Sequence, residues 1–237
     1  MKYILHKSDE RGYSEYGGWL KSWFSFSFAD WYNPEKMGFG ALRVINDDII
    51  ASQSGFGMHH HSNMEIVSIP ISGRLSHKDT LGNETDINAG EVQRMSAGTG
   101  ILHSEHNTHK NEDYVGFQIW VMPRFYNIKP SYEQKKINEI EKKGNLRLIV
   151  SPDGRNGSVS INQDAWFSML ELKKGEKTQY MRFNPKNIVY IMVISGNCRV
   201  TEIILSNKDA IGVLEGDIKI HSENEGCSIL IIEVPEI

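Results

Sequence analysis

The stretch from Gly55 to Asn107 constrains this chain most, because it holds six of the nine histidines. Residues two apart in a β-strand project from the same face. His59 and His61 therefore form one same-face pair, and His103 and Glu105 form a second pair with the same spacing. If the two strands lie on facing walls of a β-barrel, these four side chains converge on one point.

Three imidazoles and one carboxylate are ligands that suit a borderline divalent ion. The pattern predicts one transition metal (Fe, Ni, Cu, Zn or Mn) with open positions for water, dioxygen or a substrate oxygen. Glu65 lies four residues after His61 and faces the same side of its strand. The spacing alone therefore leaves Glu65 and Glu105 as alternative carboxylate ligands.

Four other histidines have no such partner in the sequence. We expect each of them to be solvated or hydrogen-bonded for structural reasons. They are His6, His77, His109 and His221.

Composition excludes several classes of protein. The net charge of −4 disfavours direct binding of nucleic acid. No apolar run is long enough for a membrane helix, and the first residues do not resemble a signal peptide. Two cysteines, Cys198 and Cys227, suit buried positions in a reducing cytoplasm rather than a disulfide framework. We expect a cytoplasmic monomer.

Short strands separated by frequent turn residues predict an all-β protein. The alternation from Trp23 to Phe28 indicates a strand, and Asn46–Asp48 is typical of a turn between two short strands. The charged segment 130–144 is expected to be a short helix or an extended connection between two halves. We therefore predict domains at 1–135 and 136–237.

The second half repeats the β pattern without the histidine pairs. Where a matching pair would stand, the sequence has Tyr180, Arg182 and Tyr190. We expect a metal centre in the first domain and a degenerate barrel without metal ligands in the second.

Four segments resemble the pirins of the cupin superfamily, and in particular the bacterial quercetinase type. They are FSFADWYNPEKMGFGALRVINDD (26–48), GFGMHHHSNMEIVS (55–68), HKDTLGN (77–83) and MSAGTGILHSEHN (95–107). The resemblance implies a bicupin, with two jelly-roll β-barrels packed together and few short helices. It also implies that His59, His61, His103 and Glu105 bind the metal, in preference to Glu65.

The resemblance further implies a metal-dependent dioxygenase that opens a flavonol ring with O₂. Glu105 would act as the base for the flavonol hydroxyl. Phe56, Met58 and Trp120 are candidates to enclose the flat, aromatic substrate. The alternative is a non-enzymatic pirin that serves as a redox sensor or as a regulator bound to a protein partner.

Overall fold

The computed structural model describes residues 1–140, 142–143, 145–223 and 225–237. Within these ranges the regular structure consists of twenty-three β-strands and three short 3₁₀ helices. None of these helices has the length and apolar character needed to cross a membrane. The 3₁₀ helices are Ser8–Glu10, Ile137–Glu139 and Arg155–Gly157. The strands are β1 (Lys2–His6), β2 (Gly12–Tyr16), β3 (Leu20–Phe24), β4 (Leu42–Ile50), β5 (Ser54–His61), β6 (Glu65–Ser72), β7 (Arg74–Asp79), β8 (Glu84–Asn88), β9 (Glu91–Ser96), β10 (Ile101–Asn107), β11 (Tyr114–Val121), β12 (Ser131–Lys136), β13 (Lys142–Lys143), β14 (Leu146–Ser151), β15 (Val159–Ser160), β16 (Trp166–Leu172), β17 (Lys177–Tyr180), β18 (Ile188–Ser195), β19 (Cys198–Val200), β20 (Ile203–Leu205), β21 (Ala210–Glu215), β22 (Ile218–Ser222) and β23 (Cys227–Val234).

The strands group into two compact units. The N-terminal unit comprises Gly12–Glu139 and Val159–Gln163, and the C-terminal unit comprises Met1–Arg11, Ile140–Ser158 and Asp164–Ile237. The first residues belong to the C-terminal unit because β1 pairs with β21. The expected division, between residues 135 and 136, gives each unit one continuous segment. In the structure the chain starts in the C-terminal unit, crosses to the N-terminal unit and returns, and residues 159–163 cross once more.

The N-terminal unit is built from two antiparallel sheets. The larger has the order β12-β9-β6-β11-β4-β3-β2, and the smaller has the order β5-β10-β7-β8. Leu20, Ile50 and Tyr114 from the larger sheet pack with Leu75 from the smaller in one apolar cluster. The core therefore lies between the two sheets, as in a jelly roll.

The C-terminal unit repeats this plan. Its larger sheet contains the path β1-β21-β18-β23-β16-β14-β13, and its smaller sheet has the order β17-β22-β19-β20. Both cysteines are free and buried in its core, as the composition suggested. Tyr180 donates a hydrogen bond from its hydroxyl to Glu233 Oε2 at 3.0 Å, and the Tyr190 hydroxyl lies 3.0 Å from His6 Nδ1. The side chains noted in place of histidine pairs thus make structural hydrogen bonds.

Strand β4 runs without interruption through Asn46, Asp47 and Asp48, so the turn expected there is wrong. All three residues are buried, and each has a cross-strand partner on β11. Pairing with β3 on one side and β11 on the other overrides the turn preference of Asn and Asp. Polar side chains are therefore placed in the middle of a central strand.

The strand predicted from Trp23 to Phe28 ends early. Strand β3 stops at Phe24, although Phe24 and Phe26 are both buried. Beyond it, the Ser27 amide donates to the Lys36 carbonyl at 2.6 Å, which closes a loop. The aromatic alternation thus identified buried residues but not the end of the strand.

The expected junction begins with a strand rather than a helix. Strand β12 pairs with β9 at the edge of the larger sheet, and a single 3₁₀ turn follows it. The extended alternative is the one adopted. Glu141 and Gly144 of this junction lie outside the described residues.

Candidate metal centre

Strands β5 and β10 carry the four side chains predicted to bind metal. They are antiparallel neighbours in one sheet rather than facing walls, and His103 pairs directly with His59. One ring nitrogen of each of His59, His61 and His103 lies within 4.8 Å of the other two. The ring centroids of His59 and His103 are 4.3 Å apart. The three imidazoles therefore converge on one point.

Several polar atoms at this point are buried without a hydrogen-bond partner. Among the residues that the structure describes, neither ring nitrogen of His103 has a hydrogen-bond partner, and neither does Glu105 Oε1, although both residues are only 1% exposed. Unpaired buried polar atoms cost free energy that coordination to a cation would recover. His59 Nδ1 lies 2.8 Å from the Gly57 carbonyl, which leaves its Nε2 for a metal. The residues present fit a divalent transition metal.

The protonation states of the site also suit a metal. Burial, together with repulsion from His59 and His61, lowers the pKa of His103 to about 2. Burial likewise lowers the pKa of His61 to about 4. Both rings are therefore neutral at pH 7, which is the form that donates a lone pair. Burial raises the pKa of Glu105 to about 7, against the opposing hydrogen bond from Gln118.

The metal-free protein is expected to lose stability as the pH falls from 6.5 toward 4. A histidine whose pKa is lowered by folding takes up its proton mainly on unfolding, so acid favours the unfolded state. His61 and His103 act in this direction. Glu105 has a raised pKa and acts in the opposite direction, because its folded form holds its proton up to a higher pH. The combined lowering of the two histidine pKa values is larger than the raising of the Glu105 pKa. We therefore expect a net loss in the free energy of unfolding on the order of 2 kcal/mol between neutral pH and pH 4.5.

Urea unfolding of the metal-free protein at several pH values measures this loss. His103→Asn removes one of the two imidazoles and should flatten the pH dependence. A free energy of unfolding that stays constant across this pH window would contradict the expectation.

Glu105 is held in place by two side chains of β11. Gln118 Nε2 donates to Glu105 Oε2 at 2.7 Å, and Trp120 Nε1 donates to Gln118 Oε1 at 3.1 Å. The indole thus fixes the orientation of the amide, and the amide fixes the carboxylate. Oε1 of Glu105 is the oxygen left for a metal.

Gln118→Leu is expected to weaken metal affinity by about tenfold to a hundredfold, as is typical when the hydrogen-bond partner of a ligand is lost. Competition with a chelator measures this affinity directly. Trp120→Phe removes the indole N–H together with the five-membered ring, but leaves Gln118 in place, and should have a smaller effect in the same direction. Unchanged affinity in Gln118→Leu would show that Glu105 needs no such support.

The structure separates the two alternative carboxylates. Glu65 Oε2 accepts hydrogen bonds from Ser96 Oγ at 2.7 Å and from the Asn162 amide at 3.2 Å. Two groups of side chains among the described residues could hold a metal, and Glu65 is in neither. Glu105 is grouped with His77 and His103, but not with His59 and His61. Glu65 anchors a neighbouring segment instead.

His77, which the sequence placed with the structural histidines, lies beside the candidate metal centre. It is 1% exposed, pairs with Glu105 across the sheet, and its ring centroid is 5.3 Å from that of His103. With His103 and Glu105 it forms a second group of potential ligands within 4.8 Å. Its Nε2 lies 3.0 Å from Asp79 Oδ2, so it is hydrogen-bonded as expected. Its position in the HKDTLGN segment was the available signal for a role near the site.

A cavity of about 390 Å³ adjoins the cluster and is lined by His59, His61 and Glu105. Phe56 and Trp120 also line it. Met58 does not, and its side chain points outward because it alternates with His59 along β5; the residue is 53% exposed. Two of the three predicted substrate contacts therefore lie at the cavity.

Comparison with known proteins identifies the family. Residues 6–121 match the family model Pirin, and residues 148–234 match the model of the quercetinase C-terminal cupin domain. The chain is 40% identical over 234 residues to a quercetin 2,3-dioxygenase of Escherichia coli K12, covering 98% of this chain and 99% of that one. This chain belongs to the pirin family.

The fold of this pirin matches that of solved structures over the whole length of the chain. It matches the crystal structure of the E. coli bacterial pirin YhhW in complex with nickel(II), with a TM-score of 0.92, 39% identity and 100% coverage of both chains. A quercetin 2,3-dioxygenase of Acinetobacter baumannii shares the fold, with a TM-score of 0.78 at 20% identity over 99% of this chain and 86% of that one. The expected bicupin fold of this pirin is confirmed.

Proposed function

We propose that this pirin is a metal-dependent dioxygenase that opens the ring of a flavonol with O₂ and releases carbon monoxide. The observation that carries the proposal is a cluster of potential ligands beside an aromatic cavity. His59, His61 and His103 converge there, Glu105 lies next to His103, and the ring nitrogens of His103 and Oε1 of Glu105 are buried with no hydrogen-bond partner among the described residues. The names of its E. coli relatives support the same activity.

His59, His61, His103 and Glu105 would hold one divalent transition metal in the N-terminal unit. The nickel(II) complex of the related E. coli pirin makes nickel the first ion to test. Such an ion, when bound, acts as a Lewis acid toward the reacting hydroxyl of the substrate.

Glu105 would accept the proton of that hydroxyl. Its carboxyl group lines the cavity, and burial raises its pKa to about 7 in the metal-free protein. Its Oε2 accepts one hydrogen bond from Gln118 and keeps a second lone pair for the proton. Gln118 and Trp120 keep this oxygen in one orientation while the proton moves.

Aromatic side chains would hold the flat substrate and keep water away from it. Trp19 and Phe56 pack edge to face with their centroids 5.2 Å apart, and Phe28 and Trp120 do the same at 5.2 Å. All four line the cavity. Such surfaces offer apolar faces and edges to an aromatic ring.

The C-terminal unit would serve the fold rather than the chemistry, and the protein would act as a cytoplasmic monomer on a small molecule. The net charge of −4 supports a role without direct nucleic-acid contact. The two free, buried cysteines support a reducing compartment.

The test is turnover of a flavonol by protein loaded with nickel, iron, copper or manganese. We expect the flavonol absorbance band to bleach in air with at least one metal and to persist under argon. Carbon monoxide should be released in proportion to the flavonol consumed. If no metal supports turnover and a protein partner is captured instead, the regulatory alternative is favoured.

A further inference from the structure

The cavity lining is largely aromatic, but it also includes polar residues of β3 and β4. Asn46 and Asp48 lie two residues apart on β4, share a face and both line the cavity. Ser22 pairs with Asp48 across β3 and β4 and donates a hydrogen bond from Oγ to Asp48 Oδ1. We call Ser22, Asn46 and Asp48 the acceptor wall.

Asn46 carries an acceptor that the protein itself does not use. The residue is 3% exposed, and its Oδ1 has no hydrogen-bond partner in the described part of the chain. Its cross-strand neighbour Gln118 donates to Glu105 and accepts from Trp120, so both ends of that amide are engaged elsewhere. A buried acceptor left unpaired is destabilising, and a donor from an occupant of the cavity would remove this cost.

The chemistry of the acceptor wall specifies the kind of donor. The Asn46 carbonyl oxygen and the Asp48 carboxylate both accept hydrogen bonds. A hydroxyl supplies the missing proton, whereas an ether oxygen or a ring C–H does not.

We propose that the acceptor wall binds a second hydroxyl of the substrate, so that the cavity selects polyhydroxylated aromatic compounds over analogues that carry only the reacting hydroxyl. The inference rests on the proposed function for the placement of that reacting hydroxyl beside Glu105. Asn46 is then a residue that determines substrate specificity, and Asp48 and Ser22 extend the same surface.

The experiment compares two probes that share the reacting hydroxyl. Quercetin carries further hydroxyls, whereas the parent flavonol carries only the reacting one. Dissociation constants for the nickel-loaded protein are measured under argon by quenching of tryptophan fluorescence, since Trp19 and Trp120 line the cavity. Turnover has no part in this readout, so failure of the proposed activity is distinguishable from failure of the inference.

The wild type is expected to bind quercetin about tenfold more tightly than the parent flavonol, the size typical of a buried hydrogen bond gained. In Asn46→Leu this ratio should fall to about one, because quercetin binding weakens while binding of the parent flavonol is retained. Asn46→Ser keeps an acceptor and should retain part of the preference. The intrinsic difference in solubility between the probes is the same for every protein, so it cancels when the ratio of dissociation constants is compared between the wild type and a variant.

Phe24→Leu is the matched control, because Phe24 lines the cavity without offering an acceptor. Phe24→Leu should weaken the binding of both probes alike and leave the ratio of their dissociation constants unchanged. Nickel content and thermal melting identify a variant that fails to fold, in which case Asp48→Asn and Asn46→Ser carry the test. Equal binding of both probes by the wild type, binding of neither, or a ratio that Asn46→Leu leaves intact overturns the inference.

Discussion

Replacing His103 with alanine is expected to abolish metal binding and to lower flavonol turnover by on the order of 10³-fold. His103 is 1% exposed, and no described residue makes a hydrogen bond to either of its ring nitrogens. It also belongs to both groups of side chains placed to hold a metal. Its loss therefore leaves no complete group of three among the described residues. Elemental analysis of the purified protein measures the metal, and the flavonol band measures turnover.

His106→Ala is the control for this variant. His106 lies three residues further along β10, on the face turned to solvent, and is exposed. We expect it to keep one ion per chain and wild-type turnover. A His103→Ala protein that still binds one ion with unchanged affinity would show that the proposed ligand set is wrong.

Glu105→Gln and Glu65→Gln are expected to have opposite consequences. Glutamine keeps the size of the side chain but removes the negative charge and the base. In Glu105→Gln we expect turnover to fall by on the order of 10²-fold to 10³-fold, with weaker metal binding. The carboxylate of Glu65 instead accepts hydrogen bonds, through Oε2, from Ser96 and Asn162. In Glu65→Gln we therefore expect full metal content and a loss of about 1–2 kcal/mol in the free energy of unfolding.

Metal content, turnover and urea unfolding, measured together on both variants, separate the two roles. The opposite pattern, with turnover lost in Glu65→Gln and kept in Glu105→Gln, would assign the carboxylate to Glu65. Loss of stability alone in Glu105→Gln would make that residue structural.

Local spacing was sufficient to predict the histidine cluster. His59 and His61 share a face because side chains alternate along any strand, whatever the strand packs against. The same rule identified His103 and Glu105 as a pair. The short strands and frequent turn residues predicted the all-β class for the same reason, since both are properties of neighbouring residues.

Local spacing could not choose between Glu65 and Glu105. Both face inward from strands that border the site, and both are 1% exposed. The choice depends on the register of β10 against β5 and on the partners that Ser96 and Asn162 supply to Glu65. Register is a relation between distant segments, so it is absent from any single window of sequence.

Residue order alone predicted an all-β protein of two parts and a set of metal ligands in the first, because side-chain alternation and ligand type can be read from neighbouring residues. The pairing of distant strands was needed to show that Asn46 and Asp48 lie in a buried strand, that His77 pairs with Glu105, and that Met58 does not line the cavity. Those placements follow from which strands pair and which faces are covered. Pairing and burial are settled by free energy summed over the whole unit, and that sum can override the local preference of any one residue.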